Sequence, residues 1–163
     1  MNRPVLRYFG GKFKIADWIV EHFPKHKVYT EAFGGAASVL MRKDRSFAEI
    51  YNDLDGEVVN VFRVLQDPDK ARELERLVYL TPFAREEYEL AFQPSDNDVE
   101  QARRSIIKTF LTHGSDSLVN KSGFRVNSNR SGAHPARDWS NFPKYISQFT
   151  ERLRGVAIEN RDA

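Results

Sequence analysis

Val28-Tyr29-Thr30-Glu31-Ala32-Phe33-Gly34-Gly35-Ala36-Ala37-Ser38-Val39-Leu40 is the stretch on which the fold of this chain turns. A short β-branched and aromatic run meets two glycines and then residues suited to the first turn of a helix. A strand that feeds a helix through a tight glycine turn brings unpaired backbone N–H groups to the strand's carboxyl end. That is where α/β folds hold nucleotide-like molecules. At Gly34 and Gly35 a Cβ would keep such a molecule away from the backbone. Glu31, ahead of the turn, sets a carboxylate at its rim. The same pattern also serves as a plain turn before a helix.

Upstream, Arg7-Tyr8-Phe9-Gly10-Gly11-Lys12 predicts the opening of a helix that runs to about Phe23, with Ile15, Trp18, Ile19 and Phe23 on one face and Pro24 as its stop. A Gly-Gly turn at a helix start, with a lysine just inside, suits an anion or a carboxylate-bearing ligand. It is not a phosphate-binding loop of the Walker type, because neither Ser nor Thr follows the lysine. Leu6, Tyr8 and Phe9 serve equally as ordinary core.

Downstream, a helix over Ala36–Met41 leads to a second strand, Phe47–Tyr51, and to the turn Asn52-Asp53-Leu54-Asp55-Gly56. Val58, Val59, Phe62 and Leu65 mark an amphipathic helix after it. Asp53 lies 18 residues past Gly35 at the tip of the second strand. An acidic residue at about that distance takes ribose hydroxyls in dinucleotide-binding folds, and an aspartate there also caps a helix. Both readings stand.

Three helices are predicted next, over Asp69–Leu80, Thr81–Phe92 and Asp98–Thr112, with Ser95–Asp98 as a linker. No strand alternates with them, so they form an insertion in the α/β pattern. From His113 to Asp138 the material changes to Gly, Ser, Asn and Arg. Asn120-Lys121-Ser122-Gly123-Phe124-Arg125-Val126-Asn127 predicts a hairpin with Phe124 and Val126 as its ordered residues. Between Arg103 and Lys144 eight basic residues face only Asp116 and Asp138, a net +6 that leaves −4 for the rest of a chain whose total is +2. Basic and amide side chains on a hairpin suit phosphates and base edges; a solvated surface loop has the same composition. Trp139–Leu153 returns to helix, Val156–Asn160 reads as a third strand, and Asp162 follows its end.

The length, 163 residues with 40% hydrophobic content, suits one domain with a core. There is no cysteine, hence no disulfide framework, zinc–thiolate site or thiol nucleophile, which fits a reducing cytoplasm. No apolar run is long enough for a signal peptide or a membrane span. His113 and His134 have no spacing that suggests a metal, and no repeat is present.

Taken in order, these motifs resemble the Dam-like, D12-class DNA adenine N6-methyltransferases over essentially the whole chain. Arg7-Tyr8-Phe9-Gly10-Gly11-Lys12 is similar to the family's N-terminal cofactor motif, an aromatic, one residue and Gly-Gly-Lys. Glu31-Ala32-Phe33-Gly34-Gly35-Ala36-Ala37-Ser38-Val39 is similar to its Glu-Pro-Phe-x-Gly-x-Gly-Ser-Val loop. Asn52-Asp53-Leu54-Asp55 resembles its Asp-Ile-Asn turn, and the helices and hairpin resemble its target-recognition segment. The resemblance implies S-adenosylmethionine as cofactor, with a site drawn from Tyr8, Gly10, Gly11, Lys12, Glu31, Phe33, Gly34, Gly35, Asp53 and Asp162. Tyr8 and Lys12 would border the cofactor, Gly34 and Gly35 would approach its methionine part, Asp53 would take its ribose hydroxyls and Asp162 would accept from its adenine amino group. Duplex DNA is the implied partner, at Asn120, Lys121, Arg125, Asn127 and Arg130. A cytoplasmic protein of a bacterium or phage is implied, with no metal and no membrane.

The chain departs from that pattern in three places. Ala32 stands for the usual Pro, and Ala37 for the second Gly, which puts a methyl beside the backbone approach. The catalytic Asp-Pro-Pro-Tyr has no counterpart, because no two of the seven prolines are adjacent. In that family it orients the target amino group and stacks on the flipped base. The implied architecture is a partial Rossmann-like α/β sheet of S-adenosylmethionine-dependent methyltransferase type, made by residues 1–59 and 146–163, with a helical and hairpin target-recognition insertion at 60–145. The reading that follows is a fragment with cofactor and recognition elements and no catalytic residues of its own, whose partner is the missing C-terminal half. The alternative is a non-catalytic DNA- or cofactor-binding module.

Overall fold

The computed structural model describes residues 3–114, 118, 121–126 and 134–163. Three parallel strands, β1 (Val28–Glu31), β2 (Ala48–Asn52) and β3 (Val156–Glu159), form a sheet in the order β1-β2-β3. Val28 pairs with Ala48 and Glu31 with Tyr51, while Glu49 pairs with Val156 and Asn52 with Glu159. All three strands fall where the sequence predicts them, within a residue or so at each end. Among the described residues β1 is paired on one side only, and β2 is the central strand.

The register places Tyr29, Glu31, Glu49, Tyr51, Val156 and Ile158 on one face, because side chains alternate along a strand. That face meets the core; Val28, Thr30 and Ala157 on the other are exposed. The core is continuous from Leu6 and Leu40 through Tyr51 and Phe62 to Ile106, Trp139, Phe149 and Leu153. Helix α3 (Gly56–Gln66) is its axis. It packs on α6 (Asp98–Leu111), α8 (Ile146–Leu153) and α4 (Pro68–Leu80), and it buries the predicted Val58, Val59, Phe62 and Leu65.

Local chemistry sets the helix starts. Asp55 caps α3 by accepting from the N–H groups of Glu57 and Val58, and Asp67 caps α4 with Pro68 in its first turn. The Asp67-Pro68-Asp69 run is thereby accounted for as a helix start. Asn97 caps α6 through the N–H of Glu100. Thr81–Phe92 is helical only over α5 (Arg85–Leu90): Thr81 turns back to bond the Leu77 carbonyl, and Pro82 cannot extend a helix that is already ending. Trp139–Leu153 is likewise divided, into α7 (Pro135–Ser140), a 3₁₀ turn at Pro143–Tyr145 and α8. Pro143 lacks the N–H that a continuous helix would use.

The N-terminal prediction needs a larger correction. The first helix, α1, covers only Ala16–Glu21, and α2, Ser38–Arg42, follows the second glycine turn. Gly10 has φ +71 and Gly11 N–H bonds Tyr8 C=O, so the backbone of residues 8–11 is a turn and Lys12 lies outside any helix. Of the predicted apolar face, Ile15 and Trp18 are exposed, and Ala16 is the residue that α1 buries.

One buried charge cluster was not legible from spacing. Glu49 accepts from Lys43 Nζ at 2.6 Å and from Arg152 at 2.7 and 3.0 Å. Burial works against its charge, but these bonds outweigh burial and hold the carboxyl at about 2. The cluster locks the end of α2 and the end of α8 onto β2.

Candidate functional site

The two glycine turns meet over the carboxyl end of β1. Between them lies a cavity of about 390 Å³, walled by Tyr8, Phe9, Gly10, Gly11 and Lys12 on one side and by Glu31, Phe33, Gly34, Gly35 and Ser38 on the other. Eight of the predicted cofactor residues therefore come together in space. Phe9 and Phe33 stand exposed at the mouth, 70% and 86% accessible. Lys12 folds its ammonium onto the Gly10 carbonyl at 2.5 Å.

Strand β2 holds the second glycine turn from beneath. Gly34 N–H donates to Asn52 C=O at 2.8 Å, Tyr51 OH to Gly35 C=O at 2.7 Å, and Gly35 N–H to Asp53 Oδ2 at 2.7 Å. Asp53 Oδ1 accepts from Asp55 N–H at 2.9 Å. Asp53 thus reaches the cavity through Gly35 and does not line it; the helix cap that the sequence offered as its other role belongs to Asp55. Asp162 is exposed and also lies off the cavity. Its neighbours close the sheet end: Asn160 donates to the carbonyls of Asp53 and Leu54, and Asn52 Nδ2 bonds those of Ala32 and Arg161.

The glycines serve packing more than approach. A Cβ on Gly34 would sit 2.2 Å from Tyr51 Cε2, and one on Gly35, where φ is +47, would sit 3.1 Å from the Tyr8 ring. Ala37 also has a positive φ, +50, and its methyl is buried and does not line the cavity. Its cost is backbone strain, because an L side chain is disfavoured there. Ala37→Gly is therefore expected to stabilise the protein by about 0.5–1 kcal/mol, the relief of strain less the extra freedom of glycine in the unfolded chain. Urea unfolding should show a raised midpoint at an unchanged slope; a lowered midpoint would contradict the strain.

Glu31 carries the site's electrostatics. Its Oε1 accepts from Tyr29 OH at 2.8 Å and from Leu40 N–H at 2.7 Å. Its Oε2 is buried without a hydrogen-bond partner, and so is Ser38 Oγ in the same wall. Burial raises the Glu31 carboxyl above its ordinary range, against the bonds from Tyr29 and Leu40 that favour its charge. Tyr29 is pushed up, by burial first and then by Glu31, so it stays a donor. Two orphaned polar atoms in one wall are costly in an empty protein. They fit a ligand that brings both a cation or donor and an acceptor. Ser38 is absent from the sequence-predicted set, although its place just after the glycine turn was the available signal.

The predicted nucleic-acid residues are less exposed to a partner than their charge implies. Asn120, Asn127 and Arg130 lie outside the described residues. Lys121 pairs with Glu89 and sits 5.7 and 5.2 Å from the Tyr88 and Phe92 rings. Arg125 N–H donates to Leu111 C=O at 2.7 Å beside the Thr112–Phe124 antiparallel bridge, so the described part of the hairpin lies on the end of α6. Phe124 packs on Phe83 and Tyr88 as an ordered residue, whereas Val126 is exposed. Arg103, Arg104 and Lys108 are tied to Glu87, Glu100 and Glu57, so acidic residues from other elements offset much of the local +6.

A family model described as D12 class N6 adenine-specific DNA methyltransferase matches residues 8–163. A DNA adenine methylase of Serratia marcescens is 27% identical over 113 residues, which cover 68% of this chain and 41% of that protein. DNA adenine methylases of Salmonella typhi and Escherichia coli (strain K12) are 32% identical over 65 residues, 40% of this chain and 23% of each relative. The matches thus span less than half of the curated relatives' length. Among the described residues no helix is long and apolar enough to cross a membrane, and no group of three or more His, Asp or Glu is placed to hold a metal.

Proposed function

Because this chain belongs to the D12 class of N6 adenine-specific DNA methyltransferases, we propose that its cavity is an S-adenosylmethionine site serving methylation of adenine N6 in duplex DNA. One observation carries this reading: Glu31 Oε2 and Ser38 Oγ, buried and unpartnered, share a cavity walled by two glycine turns. When bound, S-adenosylmethionine supplies the methyl group as a sulfonium. Its methionine part carries an ammonium and a carboxylate. Glu31 would accept from the ammonium, and Ser38 and Lys12 would serve the carboxylate. Asp53 would take the ribose hydroxyls while it holds Gly35, since each carboxylate oxygen can accept a second bond. The sheet with its glycine turns is read as a Rossmann-like half, and residues 60–145 as the target-recognition region, with Lys121, Arg125 and the residues around them toward DNA. No Asp-Pro-Pro-Tyr occurs in these 163 residues, so methyl transfer is assigned to them only together with an element that orients the adenine amino group.

A titration of S-adenosylmethionine into Asp53→Ala and Asp55→Ala variants tests the assignment. Losing charge-assisted bonds to a ligand costs about 1.5–3 kcal/mol, so Asp53→Ala should weaken binding about tenfold or more. Asp55→Ala removes a helix cap, which lowers stability by about 1 kcal/mol and leaves affinity nearly unchanged. Equal binding curves for the two variants would remove Asp53 from the site.

A further inference from the structure

The N-terminal stretch does more than deliver one wall of the cavity. Val5 and Leu6 are buried in the core, and the arginines on either side of them, Arg3 and Arg7, both reach the carboxylate of Asp138 on α7. Arg3 lies 3.3 Å from Asp138 Oδ1, and Arg7 bonds Oδ2. Both guanidinium groups also stack at the end of α6: Phe110 lies 5.1 Å from Arg3 and 4.9 Å from Arg7. Arg3 sits a further 5.0 Å from the Phe142 ring and 5.1 Å from that of Tyr145.

The placement of these partners matters. Phe110 precedes, and Asp138 follows, the Gly-, Ser-, Asn- and Arg-rich stretch at 113–134. Both ends of that stretch therefore converge on Arg7. The next residue, Tyr8, lies against Gly35 and walls the cavity.

We propose that the Asp138–Arg7 pair couples the 113–134 stretch to the cavity, so that DNA engaged by the stretch tightens S-adenosylmethionine and the cofactor tightens DNA in return. The inference rests on the function proposed above. DNA held by the stretch fixes α7; α7 fixes Arg7; and Tyr8 then meets the cofactor already in place, so less ordering falls on cofactor binding. Linkage makes the effect reciprocal. Asp138 is on this account a positioning residue that touches no ligand.

The test measures S-adenosylmethionine affinity with and without mixed-sequence duplex DNA at low salt, for the wild-type chain, Asp138→Asn, Asp138→Glu and Arg7→Met. Wild type and Asp138→Glu should bind the cofactor about fivefold tighter or more in the presence of duplex, the lower end of ordinary coupling. In Asp138→Asn the gain should fall below about twofold, with affinity in the absence of DNA kept within about twofold of wild type. Arg7→Met leaves Arg3 on Asp138 and should lose the gain as well, which keeps the test sound if one variant folds poorly. Wild-type coupling retained in both Asp138→Asn and Arg7→Met, or a wild-type chain that binds both ligands independently, would overturn the coupling alone. A wild-type chain that binds no cofactor would overturn the functional reading and the coupling with it.

Discussion

Gly34→Ala is expected to be the most damaging single-methyl change in this chain. The added Cβ would lie 2.2 Å from Tyr51 Cε2 and 2.6 Å from Cδ2, far inside contact distance. The Tyr51 ring cannot retreat easily. It is fully buried, it stacks on Phe62 with ring centroids 4.4 Å apart, and its hydroxyl is bonded to Gly35 C=O. Relief must come from moving the glycine turn, which breaks the bonds from Gly34 to Asn52 and from Gly35 to Asp53. Overpacking of this kind costs about 1–3 kcal/mol, and the coupled loss of turn bonds places Gly34→Ala at or above the upper end. Urea unfolding measures it. A midpoint shift equivalent to less than about 0.5 kcal/mol would show that ring and turn give way freely. The same variant should lose cofactor affinity, because the displaced turn is the cavity wall.

Glu31→Gln should separate binding from stability. The amide keeps one oxygen for Tyr29 OH and Leu40 N–H, and it removes a charge that burial disfavours. Stability should therefore hold or rise. Affinity for S-adenosylmethionine should fall by about tenfold to a hundredfold, the loss of a charge-assisted bond inside a buried wall. Opposite signs in the two measurements mark a residue kept for a ligand at the expense of the fold. Calorimetric titration and thermal unfolding of the same preparation decide it. Unchanged affinity would leave Glu31 as a support for Leu40 and Tyr29 alone.

What could be read from the sequence was local. The β-branched run at Val28–Thr30, the stripe Val58, Val59, Phe62 and Leu65, and the caps at Asp67 and Asn97 follow from periodicity and turn chemistry over a few residues, and the structure keeps them. The convergence of the Tyr8–Lys12 and Glu31–Ser38 segments was reached through the resemblance of their motifs, since nothing in their spacing brings them together. Illegible were the features set by partners far along the chain. Gly34 is read locally as room for a ligand, but its constraint is the Tyr51 ring from the neighbouring strand. The basic residues at 103, 104, 108 and 121 are read as free charge, yet Glu57, Glu87, Glu89 and Glu100 answer them from elsewhere. Ile15 and Trp18 have helical spacing without a core to meet, because the turn at Gly10 and Gly11 ends before the helix begins.

The central claim is that the two glycine turns, joined through Glu31, form a cofactor site. Hydrogen exchange of the backbone amides with and without S-adenosylmethionine tests it most directly, because it reports where binding acts as well as whether it occurs. The predicted result is saturable protection of the amides of Gly10–Lys12 and Gly34–Ser38, with a smaller effect at Asp53–Asp55 through the Gly35 bond. Protection absent from both turns while the cofactor demonstrably binds, or confined to the groove between α4 and α8, would contradict the account.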